Sequence, residues 1–209
     1  MSEIEYRITL LGESGVGKEI IMKTLLGKDY DKKQIATIGV TRKILKLNID
    51  IDKNGKKEKQ NFNVYLFDTP GQERFRSITD IFLRGLDGVI MLYNIQDLDS
   101  FNRIETWIES IRESIKSNNK VKYDIFLIGN KSDLKDGEKK EIEVTEEVAI
   151  KLCKEYEVTW GGEHNLKDMD INQLTELIEG FVKEIYKNVG ENSKRKKYLE
   201  VKEKKCICY

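Results

Sequence analysis

Two uninterrupted apolar runs constrain the fold of this chain more than anything else in it. GVIMLYNI covers Gly88 to Ile95, and DIFLIGNK covers Asp124 to Lys131. A strand with one face in water alternates apolar and polar residues, whereas a continuous run needs cover on both faces. Such runs belong to parallel strands with helices above and below. The neighbouring stretches supply the helices. Ser100 to Ser117 places Ile104, Trp107, Ile108, Ile111 and Ile115 on one side of a helix. Thr145 to Tyr156 and Ile171 to Tyr186 show the same period. YRITLLG, from Tyr6, reads as a further buried strand, and KEIIMKTLLG, from Lys18, as a short helix. Leu45 to Ile51 and Phe62 to Phe67 alternate as two strands around the polar turn DKNGKK. The prediction is an α/β domain with a mostly parallel sheet and ligands at the carboxyl ends of its strands.

Charge divides the chain. The net charge is zero, yet Lys194 to Lys205 holds seven basic and two acidic residues. The rest therefore carries an acidic surplus, and bulk charge gives the main body no case for binding nucleic acid. The apolar period stops near Asn188. The expected organisation is a domain over residues 1–188 and a flexible basic tail over 189–209. Cysteines are three, Cys153, Cys206 and Cys208, two of them within the last four residues. That is no disulfide framework, and a reducing compartment is expected. The N-terminus has no apolar leader pattern, so no signal peptide is expected. No run approaches the roughly 20 apolar residues of a membrane helix.

Three short motifs carry chemistry. GESGVGK, Gly12 to Lys18, follows a strand and opens a helix, the context of a phosphate-binding loop. Gly12, Gly15 and Gly17 free the backbone, so that N–H groups along the loop, Ser14 and Val16 included, can face phosphate oxygens. The helix N-terminus adds its positive end, and Lys18 can reach the outer phosphates. FDTPGQERF, from Phe67, follows a second strand. Asp68 there is placed to hold Mg²⁺ or one of its waters, Gly71 to sense a terminal phosphate, and Gln72 to orient an attacking water. GNKSD, Gly129 to Asp133, ends a third strand. Its carboxylate can accept two hydrogen bonds from a purine with an N1–H and an exocyclic amine, which guanine offers and adenine does not. That disfavours an ATP-using kinase with the same loop.

With these motifs the chain resembles the Ras-like small GTPases, and the Rab branch in particular. RFRSIT, Arg74 to Thr79, and the following FLRG also match Rab patterns. The resemblance implies a small G domain with six mostly parallel strands flanked by about five helices. It implies GTP and GDP as ligands and Mg²⁺ as the metal, with Thr37 of TIGV as a metal ligand and Asp68 acting through water. Asn130, Lys131 and Asp133 would frame the guanine. Two loops would be ordered by GTP and released on hydrolysis.

Four departures bear on function. Glu19 stands where the family has a metal-binding hydroxyl. A carboxylate about 4 Å from another negative charge costs roughly 4 kcal/mol at an effective dielectric near 20. It could instead bind Mg²⁺ directly, or point to solvent in a helix first turn, where the dipole favours it. Altered Mg²⁺ dependence is the expectation. Pro70 replaces the usual alanine and stiffens the second switch. Arg42 replaces one of three aromatic anchors, the other two positions being Phe67 and Phe82, so an unusual set of effectors is expected. VTWGGEHN, Val158 to Asn165, occupies the guanine-side loop without its S-A-K. His164, the only histidine, is expected on the surface, and Trp107 and Trp160 in packing roles. DIDKNG, Asp50 to Gly55, mimics the start of a calcium loop. It has Asn61 where a bidentate Glu is required, so a hairpin turn is expected.

The chain ends KKCICY. Rabs often carry terminal cysteines that receive geranylgeranyl groups, so Cys206 and Cys208 are expected lipidation sites, supported by the basic run. The resemblance further implies a monomer cycling between cytosol and the cytoplasmic face of an endomembrane. Its partners would be an exchange factor, a GTPase-activating protein, effectors and a prenyl-binding chaperone. The expected function is a slow GTP-hydrolysing switch in vesicle traffic. The competing expectation is a degenerate module that recruits partners at a membrane without hydrolysis.

Overall fold

A computed structural model describes residues 3–27, 41–53, 55–68, 85–117, 123–131 and 143–189. Six strands and four helices lie among them. They are β1 (Ile4–Leu11), α1 (Lys18–Leu26), β2 (Thr41–Lys53), β3 (Lys56–Asp68), β4 (Gly88–Asn94), α2 (Leu98–Ser117), β5 (Asp124–Asn130), α3 (Glu146–Glu155), β6 (Thr159–His164) and α4 (Ile171–Val189). The sheet runs β2-β3-β1-β4-β5-β6. β2 is antiparallel to β3, and every other neighbouring pair is parallel. This is the α/β sheet expected from the apolar runs. Every residue of β4 up to Tyr93 is buried, as is β5 beyond Asp124.

The reason is a core on each face. On one side Tyr6, Ile8 and Leu10 meet Ile21 and Leu25 of α1 and Phe181 and Ile185 of α4. On the other Val89, Met91 and Tyr93 meet Ile104, Ile108 and Ile111 of α2 and Ala149 and Cys153 of α3. Phe126 stacks on Phe181 with centroids 4.9 Å apart, worth about 1 kcal/mol beyond the buried area. Gly88 makes room for α4: a Cβ there would lie 2.7 Å from the Phe181 ring and 2.8 Å from Ile185. The register pairs Leu11 with Met91 and Asn94 with Asn130. The carboxyl ends of β1, β4 and β5 therefore arrive at one edge.

Two elements depart from the sequence reading. The β2–β3 hairpin is longer than Leu45 to Ile51 and Phe62 to Phe67, pairing from Thr41 with Asp68 to Lys53 with Lys56. Its outer end is built on charge, with Asp50 opposite Lys59 and Asp52 opposite Lys57. Such cross-strand pairs stabilise a ladder without leaving an apolar signature. The hairpin turn expected in the Asp50–Gly55 stretch falls between Lys53 and Lys56, where the Gly55 N–H, at φ 81°, donates to Asp52 Oδ1 at 2.8 Å. VTWGGEHN is the larger correction. Most of it is edge strand β6, paired to β5 across a register shift between Leu127 and Gly129, and the loop begins only at Asn165. Its glycines hid the strand. A Cβ on Gly161 would lie 2.8 Å from the Phe126 ring, so glycine is what lets β6 pass over that side chain.

Candidate nucleotide site

The loop between β1 and α1 is shaped by left-handed backbone. Gly12, Gly15 and Gly17 have φ of 140°, 84° and 115°, a region side chains other than glycine rarely adopt. Gly17 also abuts the third motif: a Cβ there would lie 2.6 Å from Asn130 Nδ2. Gly15 faces open space. Gly17 caps α1 without a side-chain bond, which leaves the helix N-terminus, with its positive end, suited to an anion. Lys18 Nζ donates to the carbonyls of Gly12 and Glu13, each at 2.6 Å. The ammonium thus lies across the loop mouth.

Asn130 joins the phosphate end to the β6 end. Buried at 2% exposure, it donates through Nδ2 to Val16 O at 2.9 Å. Its Oδ1 accepts from the Leu166 N–H at 3.2 Å. Lys131 N–H donates to His164 O at 2.8 Å, and Lys131 Nζ lies 3.4 Å from Glu163 Oε2. The Asn130 amide thereby fixes the spacing between the phosphate loop and the loop after β6. His164, on edge strand β6, is partly exposed, with Nε2 2.7 Å from Gly161 O.

Asp68 sits at the end of β3 with Oδ1 buried and, among the described residues, without a hydrogen-bond partner. Burial pushes its carboxyl above the usual range; Lys18 opposes that, and Glu19 adds to it. Glu19 is in the first turn of α1, and its carboxylate lies 3.2 Å from Lys23 Nζ one turn on. It is neither lost to solvent nor committed to the phosphates. It is held by Lys23 within electrostatic reach of Asp68. The orphaned Asp68 oxygen, the glycine-shaped loop, the uncapped helix and Lys18 together fit phosphates with a divalent cation at the Asp68 side. Glu19 makes that side more anionic than one carboxylate would.

Gly12, Ser14, Gly15, Val16, Gly17, Lys18, Glu19, Asp68, Asn130 and Lys131 thus gather at one sheet edge. Thr37, Pro70, Gly71, Gln72, Phe82 and Asp133 lie outside the described residues, as does the tail with Cys206 and Cys208. Arg42, exposed on β2, pairs across the hairpin with Phe67, and its guanidinium lies 6.0 Å from the Tyr65 ring centre. Sequence reasoning passed over Glu13. Its carboxylate accepts from Trp107 Nε1 at 3.4 Å and lies 3.8 Å from Arg103 Nε. Trp107 packs as expected, 7% exposed, but its N–H also serves the loop. Nothing in the spacing marks that contact, because it crosses from the loop after β1 to α2.

A profile of the Ras family matches residues 7–187. Ras-related protein RabC of Dictyostelium discoideum is 35% identical over 181 residues, 87% of either chain. GTP-binding protein ypt1 of Schizosaccharomyces pombe is 36% identical over 148 residues, 70% of this chain and 66% of that one. Ras-related protein Rab-13 of Canis lupus familiaris is 35% identical over 151 residues, 72% of this chain and 66% of its own. The chain belongs to the Ras family of small GTPases, in its Rab-like branch.

Proposed function

We propose that this protein is a guanine-nucleotide switch of membrane traffic that binds GDP and GTP with Mg²⁺ and hydrolyses GTP slowly. The observation that carries the reading is Asn130, whose amide ties the Val16 carbonyl to the loop after β6. A bond at that place sets phosphate and base sites at a fixed separation. The Rab and Ypt relatives support the traffic role.

In this reading the backbone of Gly12 to Gly17 and the start of α1 cradle the phosphates. Lys18 neutralises charge on the outer ones. Asp68 would hold the cation through water, with Thr37 as a ligand when GTP is bound, and the cation would supply positive charge against the phosphates. Gly71 senses the terminal phosphate, and Gln72 orients the water that attacks it. Lys131 and Asp133 frame the guanine. Catalysis of this kind is positioning and electrostatics, and a GTPase-activating partner adds the rest. An exchange factor, effectors and a prenyl-binding chaperone complete the cycle. The protein attaches to the cytoplasmic face of an endomembrane through Cys206 and Cys208 and acts as a monomer.

One observation favours a second reading, a binding module without hydrolysis: the Glu19 carboxylate close to Asp68 burdens the cation site. Single-turnover GTP hydrolysis, with ATP as competitor, separates the two. The switch reading expects GTP but not ATP to displace bound GDP, slow release of phosphate, and slower release still in Gln72→Leu. No phosphate from the wild type over hours would leave the binding module. Equal competition by ATP would refute guanine selection.

A further inference from the structure

We propose that Glu13 is a positioning residue that anchors the phosphate loop to α2 and sets the rate at which nucleotide leaves. The inference rests on the nucleotide reading above and deepens it. A negative side chain inside a loop built for phosphates works against the ligand unless its charge is spoken for. Here it is. Glu13 is 21% exposed at its side chain, and it faces α2 rather than the loop mouth. One oxygen accepts the Trp107 indole N–H at 3.4 Å, and the other lies 3.8 Å from Arg103 Nε. The same residue's carbonyl accepts from Lys18 Nζ at 2.6 Å. Glu13 is therefore a hinge pin: its side chain is held by α2, and its backbone helps to aim the lysine at the phosphates. On its other flank the loop is fixed by Gly12, whose missing side chain lets it lie against Leu92 O, and by the Asn130 amide.

Magnitudes rank the two contacts. Arg103 is half-exposed and its pairing is long, so that ion pair contributes little. The Trp107 bond is also long, but its donor belongs to a side chain only 7% exposed, where an unsatisfied N–H is costly. The indole N–H is then the stronger tether, and α2 is the lever through which movement at that helix reaches the nucleotide.

The test is the dissociation rate of a fluorescent GDP analogue from the full chain, with thermal unfolding followed in parallel. Glu13→Ala removes the acceptor. Trp107→Phe removes the donor and keeps an aromatic ring in the core. Glu13→Gln keeps the acceptor and removes the charge. Glu13→Ala and Trp107→Phe are expected to speed release about tenfold. The double variant should be no faster than Glu13→Ala, because both act through one bond. Glu13→Gln should stay near the wild type. Lower melting temperatures with unchanged release would mean packing alone and overturn the proposal, as would additive effects in the double variant. If the wild type binds no guanine nucleotide, the nucleotide reading fails and this one with it. Tight wild-type binding with release unaltered in the variants sinks only the role of Glu13.

Discussion

Asp68 and Glu19 lie within electrostatic reach of each other beside the phosphate loop, and their balance sets the character of the site. The folded chain holds the Asp68 proton more firmly than the unfolded chain does, because burial raises its pKa above 3.8. The sign follows from linkage. Stability from this group is fully present below the unfolded value and is lost as pH rises through the folded one. Asp68→Asn should therefore raise the melting temperature of nucleotide-free protein at pH 7. The gain should vanish at acid pH, as calorimetry across pH would record. The same substitution should speed GDP release in Mg²⁺, since the cation loses its carboxylate. Glu19→Ser should sharpen the dependence of GDP release on Mg²⁺, measured as the ratio of rates with and without chelator. Its cost to stability should be small, because the pair with Lys23 that it breaks is a largely exposed i,i+4 helix pair worth about 0.2–0.5 kcal/mol. The places of the glycines, Lys18, Asp68 and Asn130 at or just after strand ends were readable from the chain, but the bond from Asn130 to Val16 O was not. Glu13 was not: its partners lie on a helix distant in sequence, and no periodicity links them.

The elements that carry the site differ in how plainly they declare themselves. β4 and β5 were legible because both faces are covered, so the hydrophobic run is unbroken. The outer hairpin was under-read because Asp–Lys pairs replace apolar ones. β6 was under-read because Gly161 and Gly162 erase its pattern, and the reason lies in the Phe126 ring beneath it. That ring is a sensitive point. Phe126→Ala should destabilise the protein by about 3–5 kcal/mol in denaturant unfolding, through the lost stack on Phe181 and the cavity left behind. Cys153, on the buried face of α3, has its thiol pushed up to about 11 by burial. It should resist alkylation in the folded protein at pH 7 and react after unfolding, as peptide mass mapping would show.

At the scale of the whole molecule, two cores clamp one sheet and bring three strand ends to a common edge. The sheet is thereby a rigid bench for loops that bind. The apolar periods gave this architecture because helix and strand faces are set by burial, which leaves its mark on every turn. Switch chemistry leaves no such mark, and there the motifs alone speak. The central claim is that this edge holds guanine nucleotide. Its most direct test is GDP affinity of purified, nucleotide-stripped protein, titrated with and without Mg²⁺. The account predicts tight binding in Mg²⁺ that weakens only modestly on chelation, because the loop backbone, Lys18 and the base-side residues carry most of the grip. Absence of GDP binding in either condition would contradict it.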